Sequence, residues 1–521
     1  MGVEAVTLPA PYGGLDVVSP IDNTEPIYAL ELVNVFPSPS APSVRKGYKA
    51  WKDILGFDTR TLVPYTTSAG VEYLVGCYGA TGNSSIVAYN TNKTEFLLNP
   101  SGTYYTTPEW QHVVYAGRLY LCNGSDTPVY WDGSAASVAP ITFTGPTLTK
   151  LVNVTAYKER LYFVELGTCK VWYGGLQVTG TGGTPALTSF DFQYVFNRGG
   201  RLIGIGSYSN TANLATQDYF WACSSEGEIV FYTGTYAGDP STWGIVARYY
   251  IGAPLSYRAF VRVNNDVWII TQQGIVPISA LFQSDPQQAL QAVSYRINPI
   301  ISQWANTIGF DHQWAGFFWP QGRRVYISVP VSGEGCLLLV YSLDVKGWTT
   351  YRLKFDSDCL SSCLFNNSPF FASVSGTLWQ GETGYLDCAV SGTPSDPWMN
   401  SAIAFSGRMA FNPCGSRNNY KAFKDIRPLL KTQAGMTLNL GLDTDFKRLP
   451  TVTSITTNPG NFTPWGSPWG SPWSSDVQVV FDRFATKGQG HWAAVRFGGS
   501  VANFPLEFYG FELRFDVGGQ V

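Results

Sequence analysis

Gln111-His112-Val113-Val114-Tyr115-Ala116-Gly117-Arg118-Leu119-Tyr120-Leu121-Cys122 alternates in period two, breaks at Ala116-Gly117, and alternates again. Two alternating runs around a two-residue turn make a β-hairpin. Pro128-Val129-Tyr130-Trp131-Asp132-Gly133 then reads as a third strand that ends at a turn. The same pattern returns in Asn153-Val154-Thr155-Ala156-Tyr157-Lys158-Glu159-Arg160-Leu161-Tyr162-Phe163-Val164 with Lys170-Val171-Trp172-Tyr173-Gly174-Gly175, and Arg-Leu-Tyr again follows the turn directly. Variants lie at Tyr257 to Ile270 and Ala315 to Val329, with looser copies near Glu72 to Tyr89, Asp218 to Tyr232 and Pro369 to Gln380.

One such sheet leaves its apolar faces uncovered, whereas six or seven arranged radially cover one another. A unit recurring at roughly 25 to 50 residues therefore predicts an irregular six- or seven-bladed β-propeller, here over 62–386. Leu339 to Thr349 resembles the strand, turn and Trp of kelch-type blades, and Trp348 is expected between blades.

Outside the repeat the character changes. Residues 1–61 carry Pro9, Pro11, Pro20, Pro26, Pro37, Pro39 and Pro42. They read as an extended arm lying on another surface, with one short strand at Ala29 to Phe36. Ser284-Asp285-Pro286, with Asn298-Pro299 beyond it, predicts a short helical insertion near 284–306. Residues 387–521 read as a β-sandwich-like domain with strands at Ile403 to Phe411, Met436 to Leu442, Val477 to Phe484, Trp492 to Phe497 and Leu506 to Phe515. Within it Thr463-Pro464-Trp465-Gly466-Ser467-Pro468-Trp469-Gly470-Ser471-Pro472-Trp473 is a loop, which either folds onto its own domain or docks a partner. Trp is enriched where partners bind, so Trp465, Trp469 and Trp473 are candidate interface residues. Phe36 and Pro37 of the arm are candidates too.

The 521 residues include 17 Trp, 30 Tyr, 31 Phe, 54 Gly and 32 Pro, while charged residues are only 14%. That excludes coiled coils and long solvated helices, and it excludes disorder over most of the chain. A net charge of −3 leaves no basic excess for reading nucleic acid. The N-terminus lacks a basic signal-peptide region and no apolar run approaches a membrane span, so a soluble cytosolic product is expected. The nine cysteines are scattered and predict reduced, buried thiols.

No catalytic, cofactor-binding or metal-binding residue is assigned. Only three histidines occur, and no G-x-S-x-G, HExxH, P-loop or EF-hand pattern is present. His112 and His491 adjoin aromatic strand-like sequence and read as packed or hydrogen-bonded strand-edge residues. A non-enzymatic protein without a cofactor is expected, although carboxylates brought together from several blades could still form a glycosidase site that spacing does not reveal.

Tyr12-Gly13-Gly14-Leu15-Asp16, Glu31-Leu32-Val33-Asn34-Val35-Phe36-Pro37-Ser38-Pro39 and Val44-Arg45-Lys46-Gly47-Tyr48 resemble the opening of tail nozzle proteins of short-tailed bacteriophages, also called the tail hub or packaged-DNA stabilisation family. Glu507-Phe508-Tyr509-Gly510-Phe511-Glu512-Leu513-Arg514-Phe515 is similar to their closing strand. The resemblance implies a hexameric ring in the virion tail, assembled in the host cytoplasm below the portal and adaptor (head-to-tail connector) proteins. Such a ring extends the DNA channel, retains packaged DNA and anchors tail fibres or spikes until ejection. Double-stranded DNA passes without sequence-specific binding. A glycan-binding or glycan-hydrolysing propeller is the alternative expectation.

Overall fold

The computed structural model describes residues 3–53, 58–210, 217–282, 293–331, 336–354, 359–374, 376–390, 399–432, 436–450, 452–457, 478–480 and 483–520. Seven antiparallel sheets follow one another along the chain, and the first strand of each lines a common axis. The Gln111–Tyr115 and Arg118–Cys122 hairpin opens the second sheet, with Tyr115 facing Arg118 across the turn. Ala116 and Gly117 both take positive φ, at 48° and 72°. This is the turn whose twist matches that of the flanking strands.

Seven apolar clusters seal the seven boundaries between sheets. Val63, Tyr65 and Cys77 of the first sheet meet Leu119 and Trp131 of the second, and Tyr120 and Cys122 of the second meet Leu161 and Phe163 of the third. Comparable clusters continue around the ring. The last joins Cys363, Phe365 and Phe370 of the seventh sheet to Leu62 and Val87 of the first. The alternating aromatics are therefore inter-blade residues, and the fold is an irregular seven-bladed β-propeller.

The seventh blade is closed by the arm. Its three strands Cys359–Phe365, Ser368–Ser373 and Thr377–Gly381 are completed by Tyr48–Asp53, antiparallel to the third. Joining the start of the chain to the last blade leaves no open seam in the ring. The boundary expected at 61/62 is therefore corrected: it falls inside the strand Thr59–Thr66, and the arm already supplies a blade strand before it. The fifth blade has three strands, Phe260–Val263, Asp266–Thr271 and Gly274–Pro277. The helical insertion covers the outermost one, because Ile275 N–H donates to Ser294 Oγ at 2.7 Å and that hydroxyl donates to Asn298 Oδ1 at 2.6 Å. Asn298 begins the helix Asn298–Ile308. The expected helical run at Gln287 begins outside the described residues.

The C-terminal region forms two facing sheets. One contains Val452–Thr457, Met436–Thr444, Ala493–Val501, Ile403–Met409 and the arm strand Tyr28–Val33, and it continues into the sixth blade through the pair Thr350 and Val33. The other is built on Asn419–Thr432 paired with Leu506–Gln520. Val3–Pro9 of the arm pairs along the outer side of Leu506–Gln520. Between the sheets Phe497 stands 5.0 Å from Phe508 and 5.3 Å from Phe511, ring centre to ring centre. The arm is thus woven into the propeller and both sheets of the sandwich.

Candidate functional site

Two places stand out: the junction between arm, propeller and sandwich, where charge is buried, and the axis of the propeller, which cationic side chains line. At the junction, Asn34 takes a positive φ of 59°, a conformation its short polar side chain tolerates. Its Nδ2 donates to the carbonyl of Ala404 at 2.7 Å in the sandwich and to that of Arg352 at 3.2 Å in the sixth blade. Its Oδ1 accepts from Arg45 Nε at 2.9 Å. Arg45 is 2% exposed. Its remaining N–H groups reach Lys46 O at 3.1 Å, Arg352 O at 3.0 Å, and both carboxylate oxygens of Asp387 at 2.7 Å. All five donors of the guanidinium are satisfied, the last two by a bidentate fork. Burial works against the charge on Arg45, but the adjoining Asp387 outweighs it and holds the guanidinium above its ordinary value.

Gly47 follows because nothing larger fits. A Cβ there would lie 1.9 Å from the carbonyl oxygen of Leu386. Gly14, at φ +80°, presses against the backbone of Trp348, and Trp348 Nε1 donates to Val293 O at 2.7 Å. Trp348 sits between Tyr341 and the arm, in the cluster that joins the fifth and sixth blades to the sandwich. Asp16, almost fully buried, accepts from the amides of Val18 and Ser19 and from Arg296. The second and third arm motifs therefore meet in one structural lock, while the first is seated separately against Trp348 and Arg296.

The axial cavity has a volume of about 690 Å³. Strands alternate side chains between faces, so Phe260 and Arg262 of the fifth blade both line it, as do Arg258 in the turn before that strand and His112 of the second blade. Arg258 crosses the axis: its Nη1 donates to Arg60 O at 2.7 Å, and its Nη2 to Thr61 Oγ1 and to Trp110 O at 3.1 Å. These acceptors belong to the first blade and the approach to the second, so Arg258 bridges one end of the channel. No Asp or Glu is among its described lining residues. Beyond Arg258, Glu109 is engaged by Arg60 at 3.2 Å and by His312 at 3.4 Å. Desolvation lowers the pKa of Arg258. His112 is enclosed by the surrounding strands and then repelled by Arg258, which pushes its imidazole down to about 4. Its ring is open to the channel.

The expectation for His112 is corrected: its ring faces the channel and makes no hydrogen bond to the described residues. His491 packs its ring against Tyr420 at 5.4 Å. Phe36 and Pro37, named as candidate interface residues, are also corrected. Both are buried within the chain, and the Arg324 guanidinium lies 3.7 Å over the Phe36 ring. Trp465, Trp469 and Trp473 lie outside the described residues. All nine cysteines are buried and free. Among the described residues no cluster of His, Cys, Asp and Glu could hold a metal, and no helix is long and apolar enough to cross a membrane. Sequence reasoning missed Arg258 and Arg262. Arg262 alternates with Phe260 on a strand, which is a legible signal, whereas Arg258 lies in the turn before it and has none.

No family model matches the chain, and no curated protein matches it. Among solved structures it is similar to a streptogramin B lyase, at 10% identity and TM-score 0.41, over 64% of this chain and 96% of that one. It is also similar to the WD40 β-propeller domain of Doa1, at 12% identity and TM-score 0.39, over 64% of this chain and 96% of that one. A chain of the mitotic checkpoint complex matches at 8% identity and TM-score 0.39, over 65% of this chain and 93% of that one. At these identities the likeness concerns fold alone.

Proposed function

We propose that this chain is a structural, non-enzymatic virion protein, the tail nozzle of a short-tailed phage. Copies form a ring that extends the DNA channel below the portal and adaptor, retains packaged DNA and anchors fibres or spikes until ejection. One observation carries the reading: Asn34, Arg45 and Gly47, on which the resemblance rests, meet in the buried lock between arm, propeller and sandwich, and Gly14 seats the start of the arm against Trp348 of the sixth blade. A wall under pressure needs its modules held together, and this lock ties three of them.

Further support comes from the outer surface. The strand Gly244–Tyr250 is the unpaired edge of the fourth blade, with Ile245, Val246 and Tyr250 exposed, and nearby Tyr194 is 89% exposed. An apolar sheet edge is a liability in a monomer and an asset in an assembly. Because Arg258 bridges the propeller's own axis, the DNA path in this reading is the axis of the ring, outside each propeller. The low overall charge suits such a path, since every neutralised phosphate adds affinity and hence friction. Trp465, Trp469 and Trp473 serve as the contact to neighbouring subunits or fibres.

Native mass spectrometry of the chain with an adaptor ring tests the proposal. A hexamer on the adaptor is expected. A chain that remains monomeric with the adaptor present overturns it.

A further inference from the structure

The axial channel is asymmetric. At one end Arg258, in the turn before the strand Phe260–Val263, reaches across to the first blade, while Arg262 on that strand also lines the channel. His112 lies near Arg258, close enough to feel its charge. Three of the five N–H donors of Arg258 are held by neutral oxygens, which leaves two without a partner among the described residues. Among the described residues no carboxylate pairs with Arg258; Glu109, whose charge reaches it, is bonded to Arg60 and His312. Arg262 makes a single long contact, 3.5 Å to Ser207 Oγ. A channel walled by seven strands thus holds two guanidiniums and one imidazole with no lining carboxylate.

An enclosed cation costs free energy unless it is paired. Several enclosed arginines here are neutralised, as Arg45 is by Asp387, Arg324 by Glu382 and Arg408 by Asp443. Arg258 is bonded to neutral oxygens instead, and it lies beside a cavity large enough for a small ligand. We infer that the closed end of the channel binds a small oxyanion, a phosphate or carboxylate group held by the free N–H groups of Arg258 and by protonated His112, with Arg262 drawing it in. The site does not depend on the ring reading, since all of its residues come from one chain.

Binding and protonation are linked. An anion against the imidazole favours its charged form, so binding should raise the His112 midpoint and should strengthen as pH falls. The other titratable groups in the wall are Tyr257 and Cys363. Beyond Arg258 stand Asp58, Arg60, Glu109, Asp311 and His312, with the Cys77 thiol also near.

The test uses inorganic phosphate and acetate as probes on the full chain. Calorimetry near pH 5 should give saturable one-site binding for at least one probe, and which one binds distinguishes a phosphate source from a carboxylate. NMR titration of the His112 ring with that probe should raise its midpoint by about one pH unit. Because Arg258→Gln could disturb folding, Arg262→Gln and His112→Gln are the informative variants, and each should weaken binding about tenfold. No saturable binding of either probe, or wild-type affinity in both variants, overturns the inference.

Discussion

Arg45 and Arg258 are two enclosed guanidiniums in one chain, and the protein treats them in opposite ways. At the junction, Arg45 has all five donors satisfied and a bidentate carboxylate opposite it. In the channel, Arg258 donates to neutral oxygens only, and the closest acid turns its carboxylate elsewhere. The first arrangement is a lock: charge, donors and geometry are closed, and nothing is left to bind a ligand. The second is open, with charge in surplus next to empty space. Rigidity therefore belongs to the arm junction, and the axis is where the proposed anion recognition would act.

The largest test of this contrast is Asp387→Asn. Removing the carboxylate leaves the Arg45 charge buried and unpaired, which should lower stability by about 3–5 kcal/mol in urea denaturation. Gly47→Ala strikes the same junction sterically, through a Cβ placed 1.9 Å from the Leu386 carbonyl oxygen. Overpacking of this kind should cost about 1–3 kcal/mol. Arg258→Gln breaks three hydrogen bonds but strands no opposite charge, so it should cost no more than about 1–3 kcal/mol, less than Asp387→Asn. A cost for Arg258→Gln equal to that of Asp387→Asn would dissolve the comparison. Trp348→Phe, which removes the bond to Val293 O and part of a fully buried ring, should cost about 1–3 kcal/mol.

The smallest expected effect is in pH dependence. His112 has a folded-state pKa near 4, below its ordinary value of 6.5. Folding therefore favours the neutral ring. The stability this gives is fully present above the unfolded value and is lost as pH falls from there toward 4. Thermal unfolding scans across that window should show a decline in wild type that His112→Gln flattens. An oxyanion in the channel should oppose the decline, which ties this prediction to the binding site.

The propeller was legible because its signal is local. Period-two alternation around Ala116-Gly117 and Lys158-Glu159 specifies hairpins without knowledge of the rest of the chain. The strand Asn419–Thr432 escaped notice because Lys421, Lys424, Asp425, Arg427, Pro428 and Lys431 make it look like a solvated loop. Its charges are instead matched across the sheet, Lys424 to Asp516, Arg427 to Glu512 and Lys431 to Glu507, while Phe423, Ile426 and Leu430 face the core. Only the partner strand reveals that match. The arm's weave was hidden for the same reason, since Tyr48–Asp53 finds its place against Thr377–Gly381, more than three hundred residues away. Phe36 looked like an exposed anchor in a proline-rich tail until Arg324 was found over its ring. Arg258 carried no motif at all: what singles it out is the missing carboxylate, and that is a property of the assembled axis.

The nozzle proposal rests on a ring that no single chain displays. Electron microscopy of the chain assembled on its adaptor tests it most directly. The account predicts a sixfold ring whose central opening lies outside the seven-bladed propellers, each of them bridged on its own axis. Isolated propeller-sandwich particles that never close into a ring, at any adaptor concentration, would contradict it.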